Sequence, residues 1–274
     1  MSSDSESEAP RQAFPLLRAA YDGDLHALRR AITEGADPNE QDGYTVLQWL
    51  IVHGCRNGAD TQLACISALV EAGADVNMKS GPSRNEILRS TPLLDAVFRC
   101  EGSTCRELVS LLIRAGADVT ITNGPTGTVT GPGTGLTPLH TAAIFGRHDV
   151  IPLLIAAGAD VNAIYYRSYD EVIDYHVYET PLDSCLKRCF EELPGRRARV
   201  FAALLRAGAR IPARHRIDRA RDPYLDAVAR AGGYARYERA HRTRLAAIFI
   251  PKFPRVPAEI IRTIVAFWAD CGGH

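Results

Sequence analysis

The sequence predicts an all-α solenoid, in which short helix pairs stack one after another along the 274-residue chain. The first observation is a recurring Gly-Ala pair that ends an apolar segment, with its glycines 38, 43, 42 and 50 residues apart. These glycines are Gly35, Gly73, Gly116, Gly158 and Gly208. Second, the apolar residues before each pair follow helical spacing. Third, one such unit buries little surface alone, so it needs neighbouring copies.

The clearest unit spans residues 135–163 and reads GLTPLHTAAIFGRHDVIPLLIAAGADVNA. Pro138 lies in the first turn of its first helix, where the missing N–H costs nothing. Gly146 ends that helix and Gly158 ends the second, because glycine supplies the left-handed residue that a helix C-terminus favours. The expected apolar stripes are Leu139, Ala142 and Ala143 on the first helix, and Val150, Leu153 and Leu154 on the second.

This unit resembles the ankyrin repeat, in its TPLH opening, its small Ala-Ala pair, its central glycine, its Leu-Leu pair and its GADVN ending. The resemblance implies an L-shaped solenoid whose β-turn fingers project to one side and line a concave face. It also implies that the protein binds an unidentified target protein on that face and is not an enzyme. For His140, it implies a structural role in which the imidazole bridges the Thr hydroxyl and the backbone of neighbouring turns.

Five clear repeats and a degenerate sixth are expected, within a domain that spans residues 14–250. The clear ones span residues 14–39, 43–77, 91–120, 135–163 and 180–209, and the sixth spans residues 222–248. In the second repeat, Trp49 and Leu50 are expected to replace the small pair. Residues 1–13 are polar and acidic, which predicts a disordered tail.

Long insertions between repeats predict long fingers at residues 79–89, 123–135 and 164–179. Insertions of this kind often lie on the binding face. The last finger concentrates tyrosines and acidic residues, and tyrosine is enriched at interfaces. Its predicted partner-binding residues are Tyr165, Tyr166, Tyr169, Tyr175, Tyr178, Asp170 and Asp174. The alternative is that one or two of these tyrosines only pack on the adjacent finger.

Residues 251–274 depart from the repeat pattern and contain a short, very apolar helical segment, FPRVPAEIIRTIVAFW. The segment resembles the opening of an F-box and the truncated F-box that ends poxvirus-type ankyrin proteins. The resemblance implies docking on the F-box-binding subunit of a cullin–RING ubiquitin ligase. The predicted contact residues are Pro257, Ile260, Ile264, Phe267 and Trp268. The alternative is a helix that only caps the solenoid, which would then be a plain scaffold or inhibitor.

Charge separates the two ends of the chain, although the formal net charge is zero. Residues 1–60 carry a net charge of −5, and residues 187–244 carry +10. The arginine run raises an alternative of another class, a protein that associates with nucleic acid. It lacks the interleaved aromatic residues that stack on bases, so an exposed face or a contact with an acidic protein is favoured.

No catalytic, metal or cofactor site is expected from the sequence. The seven cysteines show no CxxC spacing, so they predict buried or free thiols in a reducing compartment, cytoplasmic or nuclear. The glycine-rich stretch at 124–135 lacks the GK[ST] ending of a phosphate loop. No apolar run is long enough to span a membrane. A monomer is expected.

Two asparagines are predicted modification sites by resemblance to ankyrin repeats, in which asparagines at this place are often hydroxylated by a cellular oxygenase. Asn77 and Asn162 each close an L-x5-D-V-N pattern that begins at Leu69 and Leu154. Asn39 lacks that leucine, because Ala31 stands there.

Overall fold

Helix pairs repeat along the chain in the computed structural model, which describes residues 15–81, 89–99, 102–123, 135–168, 176–188, 194–211 and 223–270. The first helices of the pairs are α1 Pro15–Asp22, α3 Val46–His53, α5 Pro92–Arg99, α7 Pro138–Ile144, α9 Pro181–Arg188 and α11 Pro223–Arg230. The second helices are α2 Leu25–Thr33, α4 Ala59–Glu71, α6 Gly102–Arg114, α8 Ile151–Ala156, α10 Pro194–Arg206 and α12 Tyr234–Phe249. A 3₁₀ turn, Ile250–Lys252, leads to the last helix, α13 Ala258–Asp270.

The first helices start where a threonine or a proline favours a helix N-terminus. Thr45 and Gln48 form a capping box at α3, since the Thr45 hydroxyl accepts from the Gln48 N–H and the Gln48 side chain accepts from the Thr45 N–H, both at 3.2 Å. At α7, the Thr137 hydroxyl caps the helix by accepting from the His140 N–H at 3.3 Å, and Pro138 lies in the first turn. Gly73 and Gly158 follow the ends of α4 and α8 with φ angles of 92° and 97°, which side chains with a Cβ rarely adopt.

The helices form two rows, which is the arrangement expected of a solenoid. Helices α1, α3, α5, α7 and α9 pack successively on one another, and so do α2, α4, α6, α8, α10 and α12. One buried apolar cluster runs through both rows from Leu16 to Val228. The prediction of an all-α solenoid of stacked repeats is therefore confirmed.

Two short antiparallel hairpins accompany the helices in the described part of the chain. Strands β1 Gln41–Asp42 and β2 Tyr44–Thr45 form the finger between the first and second repeats. Strands β3 Tyr165–Ser168 and β4 His176–Glu179 form the base of the tyrosine-rich finger between the fourth and fifth. The predicted tail at 1–13 and most of the fingers at 79–89 and 123–135 lie outside the described residues.

The structure corrects two details of the predicted core. The buried residues of the second helix in the fourth repeat are Val150, Ile151 and Leu154, whereas Leu153 is only half-buried. Ile151, the first residue of α8, is thus buried in place of Leu153. In the second repeat, Leu50 and Ile51 are buried at the places of Ala142 and Ala143, and Trp49 is partly exposed.

Candidate protein-recognition surfaces

His140 is wholly buried and links the fourth repeat to the next finger. Its Nε2 lies 3.1 Å from the carbonyl oxygen of Glu179, which can only accept, so Nε2 carries the hydrogen. Its Nδ1 lies 2.8 Å from the Thr137 hydroxyl, which therefore donates to it. This is the structural role that the resemblance implied.

Asparagine side chains bridge successive repeats at the ends of the second helices. The Asn77 amide group donates to the carbonyl of Gly116 at 3.0 Å, and its oxygen accepts from the Asp118 N–H at 2.7 Å. Asn39 makes the same pair of bonds to Gly73 and Asp75, and Asn162 makes it to Gly208 and Arg210. Each bridge fixes the position of one loop relative to the next.

The junction between the third and fourth repeats is built differently, because Thr120 stands where the first, second and fourth repeats have asparagine. Its hydroxyl donates to Asp118 of its own turn at 2.7 Å. The buried side chain of Arg147 lies between the two repeats instead, donating to the carbonyls of Val97 at 3.4 Å and Phe98 at 3.3 Å. At this junction, Arg147 connects the two repeats at their first helices, in place of an asparagine bridge between their loops.

The tyrosine-rich finger begins as a hairpin anchored on the repeats. Tyr165 pairs with Glu179 across the hairpin, and Tyr166 pairs with Tyr178. The Tyr165 ring lies edge-on to His140 with ring centroids 6.1 Å apart. The buried Glu179 carboxylate accepts from Ser184 at 3.2 Å and from Lys187 at 3.0 Å. These contacts hold both ends of the finger against α7 and α9.

The other predicted binding residues of that finger are not placed. Tyr169, Asp170, Asp174 and Tyr175 lie outside the described residues. The structure describes only the backbone of Tyr166 and Tyr178. Tyr165 packs on His140 of the fourth repeat and not on the adjacent finger that the alternative named, and the binding role of the tyrosines stays a prediction.

Sequence reasoning missed an aromatic cluster on the first helices, which we call the aromatic patch and define as Tyr21, Tyr44, Trp49, His53 and Arg56. Trp49 lies 5.0 Å from His53 and 5.5 Å from Tyr21 between ring centroids, and the Arg56 guanidinium lies 4.5 Å from the centre of the Tyr21 ring. Burial, and secondly the charge of Arg99, lower the pKa of His53, which favours a neutral imidazole. Trp49 and His53 are four residues apart on α3, and this spacing places both side chains on one face of the helix. That pattern could have indicated the patch from the sequence.

The C-terminal helix α13 packs one face on α12 and exposes the other. Ile261 and Val265 are each 4% exposed, whereas Ile260 and Ile264 are 49% and 57% exposed. Beside the exposed side lies an apolar groove of about 470 Å³. It is lined by Phe249, Phe253, Val256, Ile261, Ile264 and Val265. Pro257 directly precedes the helix and is exposed, and the side chains of Phe267 and Trp268 are outside the description.

Several arginines of the basic region hold the end of the solenoid together. Arg206 donates to the Tyr234 hydroxyl at 2.8 Å and lies 3.7 Å from Glu238. Arg242 donates to the same Glu238 carboxylate at 3.0 Å, and Arg197 donates to the carbonyl of Leu186 at 2.8 Å. These contacts lie within the protein, and the predicted exposed face or contact with an acidic partner stays a prediction.

The described residues contain no group of three or more His, Cys, Asp or Glu side chains that could hold a metal ion. Within the same residues, Cys55 and Cys65 are free thiols, and burial raises the pKa of the Cys65 thiol. None of the helices in the described segments has the length and hydropathy to cross a bilayer.

The architecture agrees with the comparisons to known proteins. A family model of three ankyrin repeats matches residues 16–123, and a single-repeat ankyrin model matches residues 134–165. A search of curated proteins found no significant match. The two family matches together cover about half of the sequence, and the helix rows continue the same pattern beyond them. The chain therefore belongs to the ankyrin-repeat family, whose repeats form protein–protein interaction modules.

Proposed function

We propose that this protein is a substrate adaptor, which holds a target protein on its repeats and docks on the F-box-binding subunit of a cullin–RING ligase through α13. One observation carries the proposal: Ile260 and Ile264 are exposed one helical turn apart, beside a groove lined only by apolar side chains. Exposing a large apolar side chain forfeits roughly 1.5–3 kcal/mol, and contiguous exposed patches usually mark interfaces.

The surroundings of the groove suit an acidic partner. Lys252, Arg255 and Arg262 are exposed near it, with Glu259 as the acidic residue of the first turn of α13. Basic residues around an apolar centre steer association with an acidic surface and add specificity. Pro257 fixes the start of the helix, and Phe267 and Trp268 are further proposed anchors on its last turns.

The target would bind on the side of the first helices and fingers. The aromatic patch presents tryptophan, tyrosine and arginine together, and these residue types dominate the binding energy of many interfaces. The proposed target-binding surface is this patch together with the tyrosine-rich finger of residues 164–179. The patch contributes aromatic rings and one guanidinium group to this surface, and the finger contributes acidic residues.

Binding of purified full-length protein to the purified F-box-binding subunit tests the adaptor role, with calorimetry as the measurement. We expect binding by the wild type, and a loss of at least about tenfold in affinity, roughly 1.4 kcal/mol, for Ile264→Asp and for Ile260→Asp. Ile248→Asp is the matched control, since Ile248 is 47% exposed on α12 and does not line the groove.

The adaptor proposal fails if the wild type does not bind the subunit, or if Ile264→Asp binds as tightly as the wild type. Affinity capture from cells then distinguishes the two surfaces. Trp49→Ala should lose the target and keep the ligase subunits, whereas Ile264→Asp should do the reverse. A protein whose last helix only caps the solenoid would lose no partner with Ile264→Asp.

We also propose hydroxylation of Asn77 and Asn162. Both asparagines are partly exposed at loop ends, with both amide atoms bonded to the next repeat. An oxygenase must therefore break those two bonds to reach the side chain, so local opening should control the extent of reaction. Peptide mass analysis of protein from cells that contain the enzyme should find one added oxygen at these positions and none at Asn39, and unmodified Asn77 and Asn162 would refute the proposal.

A further inference from the structure

The second-helix row contains a groove at the fourth repeat, which we call the α8 groove. Helix α8 has six residues, whereas its neighbours α6 and α10 have 13 each. At 1.5 Å per residue, α8 is about 10 Å shorter than either neighbour. Its start is late because residues 148–150 form a turn and Pro152 lies in its first turn. The groove that remains has a volume of about 770 Å³, within the range of roughly 300–1,000 Å³ typical of ligand clefts.

Small and apolar side chains line most of the groove. They are Pro152, Leu153, Ile155, Ala156, Ala202, Ala203 and Ala207. The lining residues Arg199, Ala202, Ala203 and Arg206 lie on α10 at helical spacing, and Ala207 directly follows the helix, so the groove extends about 12 Å along it. Leu153 lines this groove on one side and packs against the core on the other, which explains its half-buried state.

Positive charge stands on both walls of the groove. Arg106 lies on α6, and Arg199 and Arg206 lie on α10, with His148 and Asp149 at the α8 end. Arg206 is paired with Glu238, whereas Arg106 and Arg199 are exposed and have no ion-pair partner among the described residues. The single carboxylate among the lining residues, Asp149, leaves the groove with an excess of positive charge.

We propose that the α8 groove is a second protein-binding site, which takes an acidic amphipathic helix of a partner protein. The apolar side of that helix would lie on the alanine-lined floor, and its carboxylates would pair with Arg106 on one wall and Arg199 on the other. The length argues for a helix, because the lining residues follow α10 over about 12 Å, which is more than two helical turns. This site lies on the second helices and is separate from the aromatic patch and from α13.

A labelled synthetic peptide tests the proposal by fluorescence anisotropy with the full-length protein. The probe has leucines at i, i+3, i+4 and i+7 and glutamates on both flanks, and its counterpart has lysines in place of the glutamates. We expect the glutamate peptide to bind at least about tenfold more tightly than the lysine peptide. Arg106→Glu with Arg199→Glu should reverse this preference.

Two further variants separate the floor of the groove from general charge effects. Ala156→Trp places a large ring on an exposed floor position and should block the glutamate peptide while the thermal melt stays unchanged. Arg29→Glu with Arg239→Glu makes the same charge change at exposed sites outside the groove and should leave binding intact.

Three results would overturn the proposal. Equal binding of the two peptides would remove the charge argument, and full binding by Ala156→Trp would show that the floor is not used. Tighter peptide binding after deletion of the acidic residues 2–9 would identify the protein's own N-terminus, and not a partner, as the natural occupant.

Discussion

The fourth repeat and the C-terminal end use helices in opposite ways. All seven residues of α7 are buried, whereas the sixteen residues of α12 contain one buried side chain, Ala246. The core of the repeats is closed by further repeats on both sides, and its loops are bridged by asparagines. Among the described residues, α13 packs on α12 with one face and leaves Ile260 and Ile264 exposed on the other. The buried residues of the repeats therefore maintain the fold, whereas the exposed residues of α13 are available to a partner.

The largest predicted effect on stability comes from the core of the fourth repeat. Leu154→Ala should lower the free energy of unfolding by about 2–5 kcal/mol, because the side chain is wholly buried. Leu153→Ala is the matched control and should cost less, since this leucine is half-buried beside the α8 groove. Urea unfolding measures both, and equal losses would contradict the assignment of the two leucines.

The asparagine bridges should come next. Asn77→Ala removes two partly exposed bonds to the following repeat and should cost about 0.5–1.5 kcal/mol, because water replaces part of what these bonds contribute. Thr120→Ala at the same place in the third repeat removes only a bond within its own turn and should cost less. If the unfolding curves of the two variants coincide, the bridges do not stabilise the stack.

Alkaline pH should weaken the end of the solenoid before the other repeats. Burial raises the pKa of Tyr234 to about 12 and raises the pKa values of Tyr224 and Tyr237, above the value of about 10 expected in the unfolded chain. The unfolded state therefore loses these protons first, and the stability present below pH 10 falls as the pH rises towards 12. Hydrogen exchange should show α11 and α12 opening first on this rise, and a uniform loss of protection would contradict the prediction.

A gain in stability is expected at the junction that lacks the asparagine bridge. Thr120→Asn should allow bonds to the backbone of Gly158 and Asp160, as Asn77 bonds to Gly116 and Asp118. Two partly exposed bonds are worth about 0.5–1.5 kcal/mol together. The midpoint of thermal unfolding should rise accordingly, and a lower midpoint would mean that Arg147 holds the loops too far apart for the bridge.

The smallest effect is expected on the exposed side of α13. Ile264→Asp should change the free energy of unfolding by no more than about 0.5 kcal/mol, because the side chain already faces solvent. Denaturant unfolding of this variant beside Leu154→Ala measures the contrast between the two regions. A loss comparable to that of the core variant would mean that Ile264 packs against the repeats.

Most of the fold follows from local signals in the sequence. The TPLH openings and the closing glycines mark helix ends through capping and backbone preferences, which act within a few residues. The burial of His140 and its two partners also follows from its motif. Helix phase was harder to predict, since Leu153 and Leu154 are adjacent and equally apolar, and the packing of α8 on its neighbours decides which one is buried.

The surfaces were less predictable, because they depend on which residues meet across repeats. Tyr21 and Trp49 come from different repeats and stand 28 positions apart in sequence, yet their rings lie 5.5 Å from each other. Ile260 and Ile261 are adjacent and chemically identical, and the packing of α13 on α12 alone makes one exposed and the other buried. No local pattern contains that information.

The Thr120 junction has a consequence for how this protein could change over evolutionary time. Three other junctions each require a matched asparagine and receiving loop, so a recombination event there must preserve both sides. Recombination directly after Thr120 would separate no asparagine from its receiving loop. The link at this junction is Arg147, whose side chain donates to backbone carbonyls, and every repeat has backbone carbonyls. The third and fourth repeats thus form a natural seam, at which a new set of target-binding repeats could be joined to the same C-terminal helix.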